Sequence, residues 1–301
     1  MSQPNKSDQR VVFVTGATTG IGLALTKRLL KTSMRLVLTA RASSLSRFQQ
    51  EGIEESDSVM IRPLDVTRGE QANAVAAEVL SRWGGVDVLV NNAGVAYRAV
   101  MEHLEDRDEE DQFHINYLGP LHLIRLVIPG MRARRSGHII NLSSVGGMMA
   151  MPTMGGYSAS KFALEGASEA LWYEMRPWGI SVTLVEPGFV HSSSFKNAVF
   201  TLNSRKAYEN QSEDYHPYYV NMLNFITKMM HFSPTTPDDI ACKIIRIMNR
   251  KNPPLRAPVT PDAIFFSIVR RLLPARIYHW LLYRSLPNLK TWVTTEKTQN
   301  Q

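Results

Sequence analysis

Tyr157 and Lys161 stand one helical turn apart in Tyr-Ser-Ala-Ser-Lys, and Ser144 precedes the tyrosine by thirteen residues. A free phenol titrates at about pH 10 and is a poor acid or base at neutrality. An ammonium at i+4 stabilises the phenolate and lowers that value. Tyr157 and Lys161 could then move a proton to or from a substrate oxygen that Ser144 holds in place. Ser143, next door, is the rival hydroxyl. Upstream, Thr15-Gly16-Ala17-Thr18-Thr19-Gly20-Ile21-Gly22 sets three glycines between an apolar run and a helical one. Gly16 permits a tight turn, Gly20 lets the backbone approach a pyrophosphate, and Gly22 allows close helix–strand packing. The helix that follows offers free N–H groups and a positive dipole end to phosphates.

Further positions fit a dinucleotide. Asp65, followed by Val66, ends an apolar run where a carboxylate could accept from an adenine amine. Asn91-Asn92-Ala93-Gly94 follows another run, and carboxyl-end loops of parallel strands converge on one crevice. Asn91 and Asn92 could equally be amides that only tie loops together. The second run ends in Leu38-Thr39-Ala40-Arg41-Ala42-Ser43-Ser44, without an acid. An acid there would accept from the ribose hydroxyls and repel a 2′-phosphate. Arg41 could instead pair with that phosphate, with Ser43 or Ser44 as donors. NADP(H) is therefore the preferred cofactor, and NAD(H) stays open.

The elements that must position these residues are legible as an alternation. Val11–Thr15, Leu36–Thr39, Val59–Leu64, Val86–Val90, His138–Leu142 and Ser181–Val185 are short apolar or β-branched runs. Helical periodicity fills Ile21–Leu30, Gln71–Trp83, Phe113–Arg134 and Tyr157–Arg176. Strands apolar on both faces, alternating with helices, predict an α/β fold: a doubly wound, Rossmann-like parallel sheet in a single domain. Residues 1–9 read as a flexible N-terminus, 10–257 as the dinucleotide-binding and catalytic domain, and 258–301 as a C-terminal helical extension with a polar tail. Residues 188–237 break the alternation with Ser, Asn, Tyr and His, which predicts an irregular substrate loop or lid.

In order and spacing, Thr15-Gly16-x-x-x-Gly20-Ile21-Gly22, Asn91-Asn92-Ala93-Gly94, Asn116, Ser144, Tyr157-x-x-x-Lys161 and Pro187-Gly188 resemble the short-chain dehydrogenases/reductases over roughly residues 10–257. A weaker likeness, for instance in Asn252-Pro253-Pro254-Leu255-Arg256, is to the 17β-hydroxysteroid and retinol dehydrogenase branch. The resemblance implies hydride exchange between a nicotinamide dinucleotide and a carbonyl or alcohol, with Tyr157 as general acid/base. It also implies that Lys161 binds the nicotinamide ribose and that Asn116 kinks its helix and carries a water to Lys161. Pro187, Gly188, Val190 and Ser192 would cover the nicotinamide, Ser192 standing where the family usually has Thr. Thr18, Thr19 and Ile21 would line the phosphates. Thr19 replaces the Lys or Arg of many NADP-preferring relatives. The family's alignment, with Val145-Gly146 following, prefers Ser144 to Ser143. A sugar epimerase or dehydratase would share Tyr-x-x-x-Lys, but with a Thr-Gly-x-x-Gly-x-x-Gly cradle.

Composition narrows the partners. The formal charge is +7, and residues 251–290 hold seven basic side chains against one acid, Asp262. Nucleic acid is not expected, and no stretch reaches the roughly 18 apolar residues of a spanning helix. Without a secretory h-region and with one cysteine, Cys242, a reducing cytoplasmic setting is expected. Cys242 lies in an apolar helical pattern and is expected to be buried and inert. No metal site is expected, since the eight histidines are scattered.

Met148, Met149, Met151 and Met154 crowd the segment between Ser144 and Tyr157. They serve either as an adaptable pocket wall or as ordinary packing. With Phe189, Phe195, Phe200 and Tyr215–Tyr219 they predict a small lipophilic substrate: a steroid, retinoid or fatty compound. Residues 262–286 form two apolar, arginine-bearing helical stretches that could be a lid, a peripheral membrane contact or a dimer contact. The family suggests a homodimer through the helices around 113–134 and 157–176. The alternative class is a non-catalytic dinucleotide-sensing or membrane-surface binding protein on the same fold.

Overall fold

The computed structural model describes residues 9–192 and 199–293. Seven parallel strands form one sheet: β1 (Val11–Thr15), β2 (Arg35–Ala40), β3 (Val59–Pro63), β4 (Val88–Asn91), β6 (Gly137–Leu142), β7 (Ile180–Glu186) and β9 (Arg256–Pro258), in the order β3-β2-β1-β4-β6-β7-β9. A separate parallel pair joins β5 (Tyr97–Arg98) to β8 (Val199–Phe200). The order reverses at β1, which pairs with β2 on one side and β4 on the other, so the loops leaving β1 and β4 open onto one crevice.

Alternation along each strand feeds two cores. Val12 and Val14 pack with Leu25 and Leu29 of α1 (Gly20–Leu29) and with Ile240 and Ile244 of α9 (Pro237–Met248). Val11 and Phe13 point the other way. They meet Val75 and Val79 of α3 (Gly69–Trp83), Leu123 and Val127 of α5 (Gly119–Arg134), and Leu171 and Met175 of α6 (Gly155–Met175). A strand buried on both faces reads as a continuous apolar run, as the sequence showed. A short α2 (Ser46–Gln50) follows β2, and α4 (Asp106–Phe113) precedes α5. Between α4 and α5 the helix widens to one turn of i→i−5 bonding, with Gly119 N–H donating to His114 O, and Asn116 sits on that turn.

Two expectations are corrected. The segment anticipated as irregular carries α7 (Leu202–Glu209) and α8 (His216–Phe232). Its polar composition hid the narrow buried stripe of Tyr219, Met222 and Ile226 on α8. Tyr219 Oη accepts from Val100 N at 3.1 Å and meets His103 Nδ1 at 3.0 Å, fixing α8 to the region after β5. Cys242 is half-buried rather than buried, because the inward stripe of α9 is Ile240, Ala241, Ile244, Ile247 and Met248. The anticipated domain boundary at 257 falls inside β9. Beyond it, α10 (Pro261–Leu272) and α11 (Ala275–Ser285) form the expected helical extension. Phe195 and residues 1–8 lie outside the described residues.

Candidate active site

Where β1 ends, Gly16 and Gly20 adopt φ of 64° and 54°, the left-handed region that favours glycine. Gly22 lies on the first turn of α1, tight against the cradle. A Cβ there would sit 2.3 Å from Gly16 O. Asn92 Nδ2 donates to Thr15 O at 2.9 Å and Gly16 O at 3.0 Å, while Thr15 Oγ1 accepts from the Asn92 and Ala93 amides, both at 3.0 Å. Asn91 Nδ2 donates to Asn141 Oδ1 at 2.8 Å, tying β4 to β6. Asn91 is therefore a brace, and Asn92 both braces the cradle and faces the crevice.

A cavity of about 730 Å³ runs along the carboxyl ends of the strands. Thr18, Thr19, Gly20 and Ile21 line its middle, and Arg41, Ser44, Arg47, Asp65 and Val66 line one end. Gly94, Pro187, Gly188, Val190 and Ser192 lie toward the other. Ser43 is not on the wall. Arg47 is, and sequence reasoning passed over it. Asp65 Oδ1 accepts from Thr67 N at 3.0 Å and Thr67 Oγ1 at 2.7 Å. The glycine turn and the free N-terminus of α1 suit the pyrophosphate of a dinucleotide, and Arg41 and Arg47 line the same cavity.

The reacting end is built by β6 and α6. Beyond Leu142 the two serines part. Ser143 Oγ donates to Glu165 Oε1 at 2.6 Å, into a buried network in which Arg256 also pairs with Glu165 and Glu186. Ser144 Oγ accepts from Gly146 N at 3.0 Å, and its hydroxyl favours the ionised form of Tyr157. Gly146 has no room for a side chain, since a Cβ would meet Tyr157 Cε1 at 3.0 Å. Asn116 donates to Val95 O at 2.9 Å and Ser160 Oγ at 3.0 Å, and accepts from Val95 N at 2.9 Å, binding the loop after β4 to α6. Asn116 and Gly22 are absent from the cavity wall; they shape it from behind.

The electrostatics differ from expectation. Lys161 Nζ donates to Leu142 O at 2.8 Å and lies 5.9 Å from the centre of the Tyr157 ring. Burial pushes the lysine down to about 8, with Glu165 opposing. Tyr157 is half-buried and lines the cavity, and burial raises its hydroxyl above its ordinary value. The Ser144 hydrogen bond and the charge of Arg98 offset this; Lys161 does not figure among the causes. No motif marks Arg98, which sequence reasoning missed.

The family profile described as "short chain dehydrogenase" matches residues 10–201. The chain belongs to the short-chain dehydrogenase family. It is 33% identical over 276 residues to a 3-ketodihydrosphingosine reductase of Bacteroides thetaiotaomicron, covering 91% of this chain and 96% of the relative. Among solved structures, a short-chain dehydrogenase from Streptomyces avermitilis superposes with a TM-score of 0.77 at 32% identity, over 91% of this chain and 97% of that one. A metagenomic short-chain oxidoreductase in complex with NADP gives 0.63 at 26% identity, over 85% and 99%. The fold is thus that of an oxidoreductase working with a nicotinamide dinucleotide, and the crevice described above is where the family's motif residues meet.

Proposed function

We propose that the chain is an NADP(H)-dependent oxidoreductase that interconverts a carbonyl and an alcohol on a lipophilic substrate, with Tyr157 as general acid/base. The observation that carries this reading is that Ser144, Tyr157 and Lys161 line one cavity together with apolar side chains. Met151, Met154, Phe189, Ile226 and Met230 line that part, a surface suited to a hydrocarbon body rather than a polar one. A relative named for the reduction of 3-ketodihydrosphingosine supports a fatty ketone among the candidates.

When bound, the dinucleotide supplies or accepts the hydride. The chain's own residues do the rest. Ser144 hydrogen-bonds the substrate oxygen, and Tyr157 donates its proton to that oxygen or takes it back in the reverse direction. Arg41 and Arg47 favour the 2′-phosphate, since no acid stands at the end of β2 to repel it. The test follows NADPH and NADH oxidation separately against fatty ketones and aldehydes, steroids and retinal, with Tyr157→Phe alongside. We expect turnover with NADPH and a loss of at least about a hundredfold in the variant, as for removal of a general acid. Equal rates in the two proteins would remove Tyr157 from the chemistry, and faster turnover with NADH would overturn the reading of Arg41.

The substrate class agrees with a place at an anionic membrane surface. Phe266 and Val269 of α10, Leu273 just after it and Tyr278 of α11 turn inward onto Val145, Met148 and Met149, as a lid would. The outer faces leave Phe265 60%, Leu272 75% and Trp280 55% exposed. Arg270, Arg271, Arg276 and Arg284 stand among them, whereas the acid Asp262 is turned to Phe189 N at 2.9 Å. Among the described residues no helix is long and apolar enough to cross a membrane, so the contact is interfacial. Co-sedimentation should show binding to phosphatidylglycerol vesicles, weaker binding to phosphatidylcholine, and loss in a Phe265→Ser/Leu272→Ser double variant. Retention of binding in that variant would refute the assignment.

A further inference from the structure

β7 and β9 are parallel neighbours in the register Glu186↔Pro258, so the chain leaves both strands at the same edge of the sheet. The loop 187–190 that leaves β7 therefore meets the start of α10, which follows β9. All four loop residues line the cavity. Val145 N donates to Pro187 O at 2.7 Å, which ties the loop to the residue after Ser144. The loop thus stands at the reacting end of the crevice.

Backbone that has left a sheet must find new partners for its N–H groups. Here two of them are taken by the start of α10. Thr260 Oγ1 accepts from Gly188 N at 2.8 Å, and Asp262 Oδ2 accepts from Phe189 N at 2.9 Å. Thr260 is fully buried and also caps α10, accepting from Ala263 N at 3.3 Å. The Asp262 carboxylate lies so close against Gly188 that a Cβ there would overlap it. Asp262 is the one acid in residues 251–290, and it stands in the first turn of α10, where the helix dipole favours a carboxylate. The platform itself is fixed, because Phe266 and Val269 pack onto Val145, Met148 and Met149. From the other side, Ser233 Oγ donates to Phe189 O at 2.6 Å.

We propose that Asp262 and Thr260 are positioning residues for the cofactor: from the C-terminal extension they hold loop 187–190 in the shape that takes the reacting end of the dinucleotide. This rests on the cavity accepting the dinucleotide of the proposed reaction, whose reacting end must lie beside Ser144 and Tyr157. A hydrogen bond to a carboxylate is stronger than one to a neutral acceptor, and Asp262 supplies one to the loop at Phe189. A loop already held in place loses less freedom when its ligand arrives, so the two contacts appear as affinity. The extension is then part of the cofactor site as well as a cover over Val145, Met148 and Met149.

The test reads amide hydrogen exchange at Gly188 and Phe189 in the dinucleotide-free protein, and the Kd of NADPH or NADH, whichever binds more tightly. Asp262→Ala should speed exchange at Phe189 and raise Kd, each by at least about tenfold, as for loss of one hydrogen bond to a charged group. Asp262→Asn keeps an oxygen acceptor and should stay within about threefold of wild type in both. Thr260→Val should act likewise through Gly188, with rescue by Thr260→Ser, and this pair decides the matter if Asp262→Ala does not fold. Thr201→Ala is the control for cap loss alone. Thr201 caps α7, accepting from Ser204 N at 3.1 Å, and is absent from the cavity wall. Its variant should lower Tm while leaving loop exchange and Kd unchanged. Unchanged exchange in folded Asp262 and Thr260 variants would overturn the proposal, as would faster exchange with Kd within about twofold of wild type. Neither readout needs turnover: a protein that binds dinucleotide yet reduces no carbonyl would sink the proposed reaction and leave the role of Asp262 standing.

Discussion

Replacing Gly22 with Ala adds one methyl group, and the surroundings decide its sign. In a helix interior alanine is better than glycine by up to about 1 kcal/mol. Here, however, the new Cβ would lie 2.3 Å from Gly16 O and 2.5 Å from Asn92 Nδ2, where ordinary contact begins at 3.4 Å. One side must retreat by about 1 Å, and neither partner is a loose side-chain end. Gly16 O is a backbone atom, and Asn92 Nδ2 is held between Thr15 O and Gly16 O. Overpacking of this kind costs about 1–3 kcal/mol, which outweighs the helix gain. The expected net loss is about 1–2 kcal/mol, a fall of a few degrees in Tm. Because the displaced atoms form the phosphate cradle, NADPH affinity should drop at least about tenfold, or about 1.4 kcal/mol. Gly166→Ala is the matched control: it lies exposed on α6 with nothing within 4 Å of a built Cβ. It should stabilise by about 0.5–1 kcal/mol and leave affinity alone. Thermal unfolding and a fluorescence titration with NADPH measure both. A Gly22→Ala protein with wild-type Tm and wild-type affinity would refute the close-packing argument.

The two serines should separate cleanly in kinetics. Ser144→Ala should lower kcat by about 10²–10³ with little change in stability. Ser143→Ala should leave kcat within a few-fold but cost about 1 kcal/mol, because Glu165 loses a buried donor. Glu186 gives a pH prediction: burial, then Glu165, lifts its carboxyl to about 7 against the pull of Arg256. A raised folded value means that the folded state holds the proton more tightly, so this contribution is complete below about pH 4.5 and is lost as pH rises through about 7. Stability from this group should fall by no more than about 3 kcal/mol across that window. The Tm of Glu186→Gln should decline less steeply than wild type between pH 5 and 8; parallel curves would refute the assignment.

The sheet could be read in advance because β1, β4, β6 and β7 are buried on both faces, and two-sided burial leaves an unbroken apolar run in the chain. β9 left no such mark. It is three residues long, follows two prolines, and exists because Leu184, Val185 and Glu186 offer it an edge. The helices α7 and α8 were hidden for a different reason: apolar and aromatic residues lie around most of α8 while only Tyr219, Met222 and Ile226 are buried, so no narrow stripe stands out in a segment dotted with Ser, Asn and His. At the site, Tyr157, Ser144 and the glycine cradle announce themselves because their spacing reflects one turn of helix and one turn of loop. Arg98 does not. Its place on the cavity wall depends on a two-residue pairing with a strand a hundred positions away, and no local pattern encodes that.

The widened turn at His114–Leu118 has a consequence for the whole length of α5. Accommodating one surplus residue before Gly119 offsets every later side chain by about 100° relative to an uninterrupted helix. Asn116 can therefore reach Val95 and Ser160 while Leu123 and Val127 still bury themselves behind the sheet. Deleting a single residue here would bring the two ends back into phase, and the chain could then keep its amide clasp or its hydrophobic seam, but not both.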